Sequence, residues 1–304
     1  MNEKFTIPLE LWNIIDEFNE IVEISGKKIY CSGMAAKNIN DLTVTGSSAS
    51  LKDFPKDEAY YELLERVYTI EKIQQDKKFN EGDTSKSYKI SLSNGVALHN
   101  SLEEASLRAR CELIERDRVL RSWYGEYSPL EMFNDPSTQF LYSDYDVKTY
   151  NFINHFDPRK EYVVGAFAFP KRSDCPFCYG FGCHPNYEFA LNKSSKELIQ
   201  RIGFLFGEKA DIECEFAPTA LYHQEFYMGG KGREIIERWL LDKKPYEQIF
   251  TCATDDIKYK TISTINNLYL VKATSDERLP LIFGKGYQIQ NREIRPEKYI
   301  HPIA

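Results

Sequence analysis

The chain has no apolar run approaching the ~18 residues that a membrane-spanning helix needs, so no membrane role is expected. It also has no surplus of basic residues. Thirty-nine Lys and Arg stand against 46 Asp and Glu, a net charge of −7. That balance argues against a sequence-independent nucleic-acid binder, which must neutralise phosphates. No G-x-x-x-x-G-K-[ST] loop is present, so a nucleotide would have to be held without a P-loop. The N-terminus, MNEKFTIPLELWNII, does not follow the charged, apolar, cleavage-site order of a secretory signal. Seven cysteines, an odd number without an export signal, point to reduced thiols and a cytoplasmic protein.

What is present is ordinary globular composition, 42% apolar and 28% charged, with aromatics abundant at 20 Tyr and 19 Phe. Apolar spacing predicts helices over 8–22, 56–72, 101–122, 148–156 and 187–207. The first rests on Leu11, Ile14, Ile15 and Phe18; the third opens with the Ser101/Glu104 capping box. Strands are expected at 27–31, 42–45, Tyr88–Leu92, 268–273 and 279–283, with a hairpin from 162–169 and 179–183. Gly46-Ser47-Ser48 and Ser93-Asn94-Gly95 read as turns, and 74–86 as a polar loop. Helices and strands in irregular order give an α+β fold, taken as a single domain over 1–304: an N-terminal helix and strand (1–40), then a core and tail (41–304).

One motif is repeated. Residues 62–66 read ELLER and 112–116 read ELIER. In each, two glutamates three apart share a helix face, and Glu104 lies upstream on about the same side as Glu112. Carboxylates on two facing helices suit Mg²⁺, a hard cation that bridges carboxylates to phosphates, and Arg116 suits a phosphate. The same pattern also describes a plain solvated helix face; EIIER at 234–238 shows how readily it arises.

The longer string SNGVALHNSLEEASLRARCELIERDRVLRSWY (93–124) resembles the second nucleotide-binding segment of the YcaO family, and TVTGSSASLKDFPKDEAYYELLERVYTIEK (43–72) the first. GFGCHPNYEFALNKSSKELIQRIGF (180–204) and LPLIFGKG (279–286) are similar to later family segments. The resemblance implies a YcaO-like mixed sheet with packed helices. It makes Glu62, Glu65, Glu112 and Glu115 Mg²⁺ ligands, and Asn100, Glu104, Arg116 and Arg201 ATP contacts, with Glu197 and Gln200 beside Arg201. Departures are Gly46-Ser47-Ser48 where the family commonly has Gly-Lys-Gly, Glu58 where it has Ser, and only 45 residues between the ExxER segments.

The implied activity is ATP- and Mg²⁺-dependent activation of backbone amides in a precursor peptide, forming an azoline by cyclodehydration, with a thioamide, an amidine, or a non-catalytic scaffold subunit as alternatives. The implied partners are that peptide and a leader-peptide-binding protein; a homodimer is compatible. Azoline-forming members end in a proline-rich tail that reaches the active site. Here the tail is RPEKYIHPIA, which nominates Pro302 and the Ala304 carboxylate as catalytic, with His301 as a proton-transfer candidate. Cys175, Cys178, Cys183 and His184 read either as a zinc site or as reduced thiols.

Overall fold

A computed structural model describes residues 11–74, 87–155, 157, 159–208, 219–251, 256–265 and 267–303. In chain order the elements are β1 (Trp12–Ile24), β2 (Lys27–Asn38), β3 (Thr43–Ser50), α1 (Lys56–Thr69), β4 (Tyr88–Ile90), β5 (Val96–His99), α2 (Leu102–Tyr124), β6 (Leu130–Met132), β7 (Tyr145–Asn151), β8 (Tyr162–Pro170), β9 (Cys178–His184), α3 (Tyr187–Leu205), α4 (Ala220–Met228), α5 (Gly230–Leu241), β10 (Lys258–Ile265), β11 (Leu268–Thr274), β12 (Ile282–Gly284), β13 (Gln288–Ile289) and β14 (Arg292–Glu293). They form antiparallel sheets ordered β1-β2-β3, β10-β11-β5 and β6-β7-β8-β9, plus the pairs β4-β12 and β13-β14. The α+β expectation holds.

Each larger sheet carries one long helix. α1 packs on β3, α2 on β5 and β11, and α3 on β9 and β8. The α2 start is capped as expected, with Ser101 Oγ accepting from the Glu104 N–H at 3.4 Å, and the helix stops at Gly125, φ +100°. α3 begins where Asn186 Oδ1 accepts from Glu188 N–H at 2.9 Å. The main core gathers Trp123, Trp239, Phe152, Phe167 and Tyr227, with Trp123 and Trp239 edge-to-face at 5.3 Å.

Two helix expectations are corrected. The stretch predicted over 8–22 is strand β1 from Trp12 onward; residues 8–10 lie outside the described residues. Its β-branched and aromatic content outweighs its helical spacing, and Ser25 (φ +53°) and Gly26 (φ +71°) make the two-residue turn that folds it back on β2. The stretch 148–156 is not helical either: β7 runs to Asn151, with Val147, Thr149 and Tyr150 in its sheet. Gly46-Ser47-Ser48 is not a turn but the middle of β3. Of the final strand predicted over 279–283, only 282–283 forms, as part of β12 paired with β4. Helices α4 and α5 and strands β5 and β10 went unanticipated. Most of the 74–86 loop lies outside the described residues.

The strands touch their helices through glycine. A Cβ on Gly46 would lie 2.2 Å from Ala59 O and 2.3 Å from Leu63 N; one on Gly180 would lie 2.4 Å from Leu198 N. Only a hydrogen fits there. Gly180→Ala is therefore expected to destabilise the fold by about 1–3 kcal/mol, the usual cost of overpacking. Thermal unfolding measures this, and an unchanged midpoint would contradict the close packing.

Candidate active site

Three strand–helix units repeat one device. In each, a strand residue directly after a glycine donates its backbone N–H to the first glutamate of the helix motif. Ser47 N–H meets Glu62 Oε2 at 2.8 Å, Val96 N–H meets Glu112 Oε2 at 3.0 Å, and Phe181 N–H meets Glu197 Oε2 at 3.1 Å. The other oxygen of each glutamate is bound by the arginine one turn later: Arg66 at 2.6 Å, Arg116 at 2.6 Å and Arg201 at 3.2 Å. A carboxylate pressed against a sheet needs such donors, because an unpaired buried charge is costly.

The fourth position of each motif reaches the next unit, and the three reaches close a ring. Glu65 Oε2 on α1 accepts from the Leu98 N–H of β5 at 2.8 Å. Glu115 on α2 pairs with Lys193 of α3 at 3.1 Å. Gln200 on α3 donates to the Ser47 carbonyl of β3 at 3.1 Å. Glu65 and Glu115 make no further hydrogen bond through their second oxygens among the described residues.

Two cavities lie along this ring. One, of about 240 Å³, is lined by Glu112, Glu115, Arg116, Val119, Phe181, Lys193, Glu197, Arg201 and Ile303. The other, of about 460 Å³, is lined by Glu58, Tyr61, Glu62, Glu65, Leu98, His99, Asn100, Arg108 and Leu268. The Arg201 guanidinium sits 4.7 Å over the Tyr179 ring, a partly apolar support that leaves its edge for acceptors. Arg116 reaches Asn94 Oδ1 at 3.4 Å, and Lys272 Nζ holds the same turn through the Leu92 and Asn94 carbonyls at 2.6 and 2.8 Å.

The site is electrostatically loaded. Burial, with Glu112 close by, pushes the Glu65 carboxyl up to about 7. Burial also raises Glu112 and Glu197 despite their arginines. Burial lowers the Lys272 ammonium to about 8.

Of the residues nominated from sequence, Glu112, Glu115, Arg116 and Arg201 share one cavity, and Glu62, Glu65 and Asn100 the other. Glu104 stands exposed on the first turn of α2 and lines neither. Ala304 lies outside the described residues. Pro302 is buried beside Ile303, which does reach the cavity. His301 is a tail anchor instead of a proton carrier: it is fully buried, its Nε2 is 2.9 Å from the Ile282 carbonyl, and its own carbonyl is 3.1 Å from His223 Nδ1. Burial holds its imidazole well below the ordinary histidine range, so it stays neutral.

The zinc alternative does not assemble. Cys175 and Cys178 pack with Tyr145 in one core cluster, Cys183 sits in another, and His184 accepts from Asn186 N–H at 3.0 Å. Among the described residues no group of three or more His, Cys, Asp or Glu is placed to hold a metal. Lys193, Lys272 and Tyr179 were missed from sequence. The available signal was that the first glutamate of ELIQR (197–201) follows Gly180 by 17 residues, against 16 and 17 for the two ExxER copies after Gly46 and Gly95. EIIER, which shows how readily the letters arise, lies on α5 beside a separate cavity.

The family model described as YcaO cyclodehydratase, ATP- and Mg²⁺-binding, matches residues 74–269, more than half of the chain. Among solved structures, YcaO from Methanopyrus kandleri bound with AMPPCP and Mg²⁺ is 13% identical, with TM-score 0.56 over 86% of this chain and 85% of that one. A chain of the E. coli microcin synthetase McbBCD complex is 14% identical, with TM-score 0.54 over 88% of each. No curated protein matches the sequence.

A carboxyl raised from 4.5 to about 7 binds more protons folded than unfolded across that interval. Its contribution to stability is therefore fullest below about pH 4.5 and falls as pH rises through 7. Glu65→Gln, which keeps an acceptor for Leu98 N–H, is expected to flatten this fall. At pH 8 without metal it should stabilise the chain by up to about 3 kcal/mol, at about 1.4 kcal/mol per pH unit. Denaturant melts at pH 5 and pH 8 measure it; parallel losses in both proteins would contradict the assignment.

Proposed function

Because the chain belongs to the YcaO family, whose cofactors are ATP and Mg²⁺, we propose that it activates backbone amides of a precursor peptide for azoline formation. The single observation behind this reading is the ring of three Glu-x₃-Arg helices, which brings seven of the nominated residues to two cavities.

The donor set fits Mg²⁺. Its ligands are hard carboxylate oxygens, and Glu65 is held near neutrality for want of a countercharge. Mg²⁺ usually takes one or two protein carboxylates and completes its shell with water and phosphate, so a preformed group of three is not required. In this reading Glu65 and Glu115, each with an oxygen not engaged in a hydrogen bond, are the primary ligands. Glu62 and Glu112 stand behind them, fixed by backbone N–H and arginine. Arg116 and Arg201 face phosphate oxygens, and Asn100, Tyr61 and His99 line the side that takes the nucleoside.

When bound, the nucleotide would supply the phosphoryl group that the former amide oxygen takes after a Cys, Ser or Thr side chain has added to the carbonyl, so that this oxygen could leave as phosphate. The chain's own part is positional and electrostatic. Arginines neutralise charge that grows on phosphate. Phe181, Val119 and Ile303 exclude water from the smaller cavity. Lys193 holds Glu115 in place. Pro302, buried beside the cavity-lining Ile303, stands at the proposed peptide-facing end of the site, with a leader-peptide-binding protein as the partner that delivers the substrate.

A second reading, a scaffold subunit that keeps the fold without the chemistry, has one observation in its favour: every carboxylate of the ring already has a protein donor. Thermal shift separates the two readings. Mg²⁺ with AMPPCP should raise the melting temperature of the wild-type chain, and Glu65→Gln with Glu115→Gln should remove that rise. The double variant should also slow ATP-dependent loss of water from a Cys-containing precursor peptide at least about 100-fold, the upper range for losing metal support. No shift in the wild type would select the scaffold; full activity in the double variant would end the metal assignment.

A further inference from the structure

β1 is a 13-residue strand at the edge of its sheet, paired with β2 on one side, and among the described residues no strand pairs with its other side. Such an edge offers a row of unpaired backbone donors and acceptors. Proteins usually shorten edges or break them with proline, lysine or a bulge; β1 is long and has no proline or lysine, and its one irregularity is a bulge between Ile14 and Asp16, which leaves Asp16–Ile24 in continuous register. Instead Ile14, Ile15, Phe18 and Ile21 are 39%, 53%, 41% and 46% exposed along it. Phe18 lies across Gly33 of β2 and against Phe204 at 6.0 Å, so the apolar row is held in place by the fold.

The charge on this edge has one sign. Asp16, Glu17, Glu20 and Glu23 are its only ionisable side chains, and none makes an ion pair among the described residues. Acidic and apolar residues therefore share both faces of the strand. Self-pairing is disfavoured by this pattern: an antiparallel copy centred on Phe18 would set Asp16 opposite Glu20, and like charges directly opposed destabilise a sheet.

We propose that the outer edge of β1 is a strand-addition site for an extended segment of a partner polypeptide that carries both basic and apolar residues on each of its two faces. Backbone hydrogen bonds would give affinity, the isoleucines and Phe18 would receive the apolar side chains, and the four carboxylates would select lysine or arginine.

Fluorescence anisotropy of a labelled peptide of repeating Lys-Lys-Val-Val, which sets lysine and valine on both strand faces, titrated with the full chain, tests this. Saturable binding is expected, weakened by salt. At least about tenfold weaker binding is expected for a Glu-Glu-Val-Val repeat peptide, and for the chain carrying Glu17→Lys and Glu20→Lys. Glu234→Lys with Glu297→Lys, which line the cavity beside α5, should leave binding unchanged. A lysine and valine peptide N-methylated at alternate residues should bind at least about tenfold more weakly, because it cannot pair as a strand. Equal binding by the N-methylated peptide, equal loss in the variant carrying Glu234→Lys and Glu297→Lys, or no binding to the unmodified chain would overturn the proposal. So would a dimer in sedimentation velocity that Phe18→Lys dissociates, since that would make the edge a self-pairing surface.

Discussion

The molecule depends on one interaction made three times, a strand N–H donated to the leading carboxylate of a helix. Each bond spans a similar interval of chain, from Ser47 to Glu62, Val96 to Glu112 and Phe181 to Glu197. It requires the helix to lie close on the strand, and glycine one position earlier makes that approach possible at Gly46 and Gly180. A hydrogen bond to a charged acceptor contributes about 1.5–3 kcal/mol when made and costs more when broken in a buried setting. The same contact therefore fixes both the packing of three helices and the orientation of three carboxylates. Stability and site geometry cannot be separated here.

From that constraint the ring follows. Once the leading glutamates are fixed, helical geometry places the fourth motif residue on the same face, three positions on. That residue looks toward the neighbouring unit, where it finds Leu98 N–H, Lys193 or the Ser47 carbonyl. Only the third unit has glutamine there. A glutamine can donate to a carbonyl where a carboxylate cannot, so the closing bond of the ring is made by the one unit whose residue type permits it.

Much of this was written in the sequence, unevenly. The two ExxER copies, the Ser101 cap and the α3 stretch were legible because strong helix formers and capping residues act locally. The third segment, 180–204, was legible by resemblance but not as a copy of ExxER, because Gln200 stands where the motif has glutamate, while EIIER at 234–238 matched the letters without the preceding Gly-x strand. The strand donors of the ring could not be read at all, since a backbone N–H carries no letter. β1 was misread because Leu11, Ile14, Ile15 and Phe18 satisfy helical spacing. What decides the matter is the Ser25-Gly26 turn and twelve residues of β2 ready to pair, a long-range partner that outweighs local period.

The wiring also divides labour among the carboxylates. Glu62, Glu112 and Glu197 have both oxygens engaged, one by backbone and one by arginine, and moving any of them would open its strand–helix unit. Glu65 and Glu115 are held by one oxygen each, and their second oxygens make no hydrogen bond among the described residues. A cation-binding carboxylate needs both properties: fixed position and an available lone pair. Burial that drives Glu65 up to about 7 is the cost of keeping that lone pair next to Glu112. In the proposed reading, a doubly charged cation held by Glu65 would offset that cost. The folding device and the proposed ligands are thus neighbouring positions of one helix motif, three residues apart.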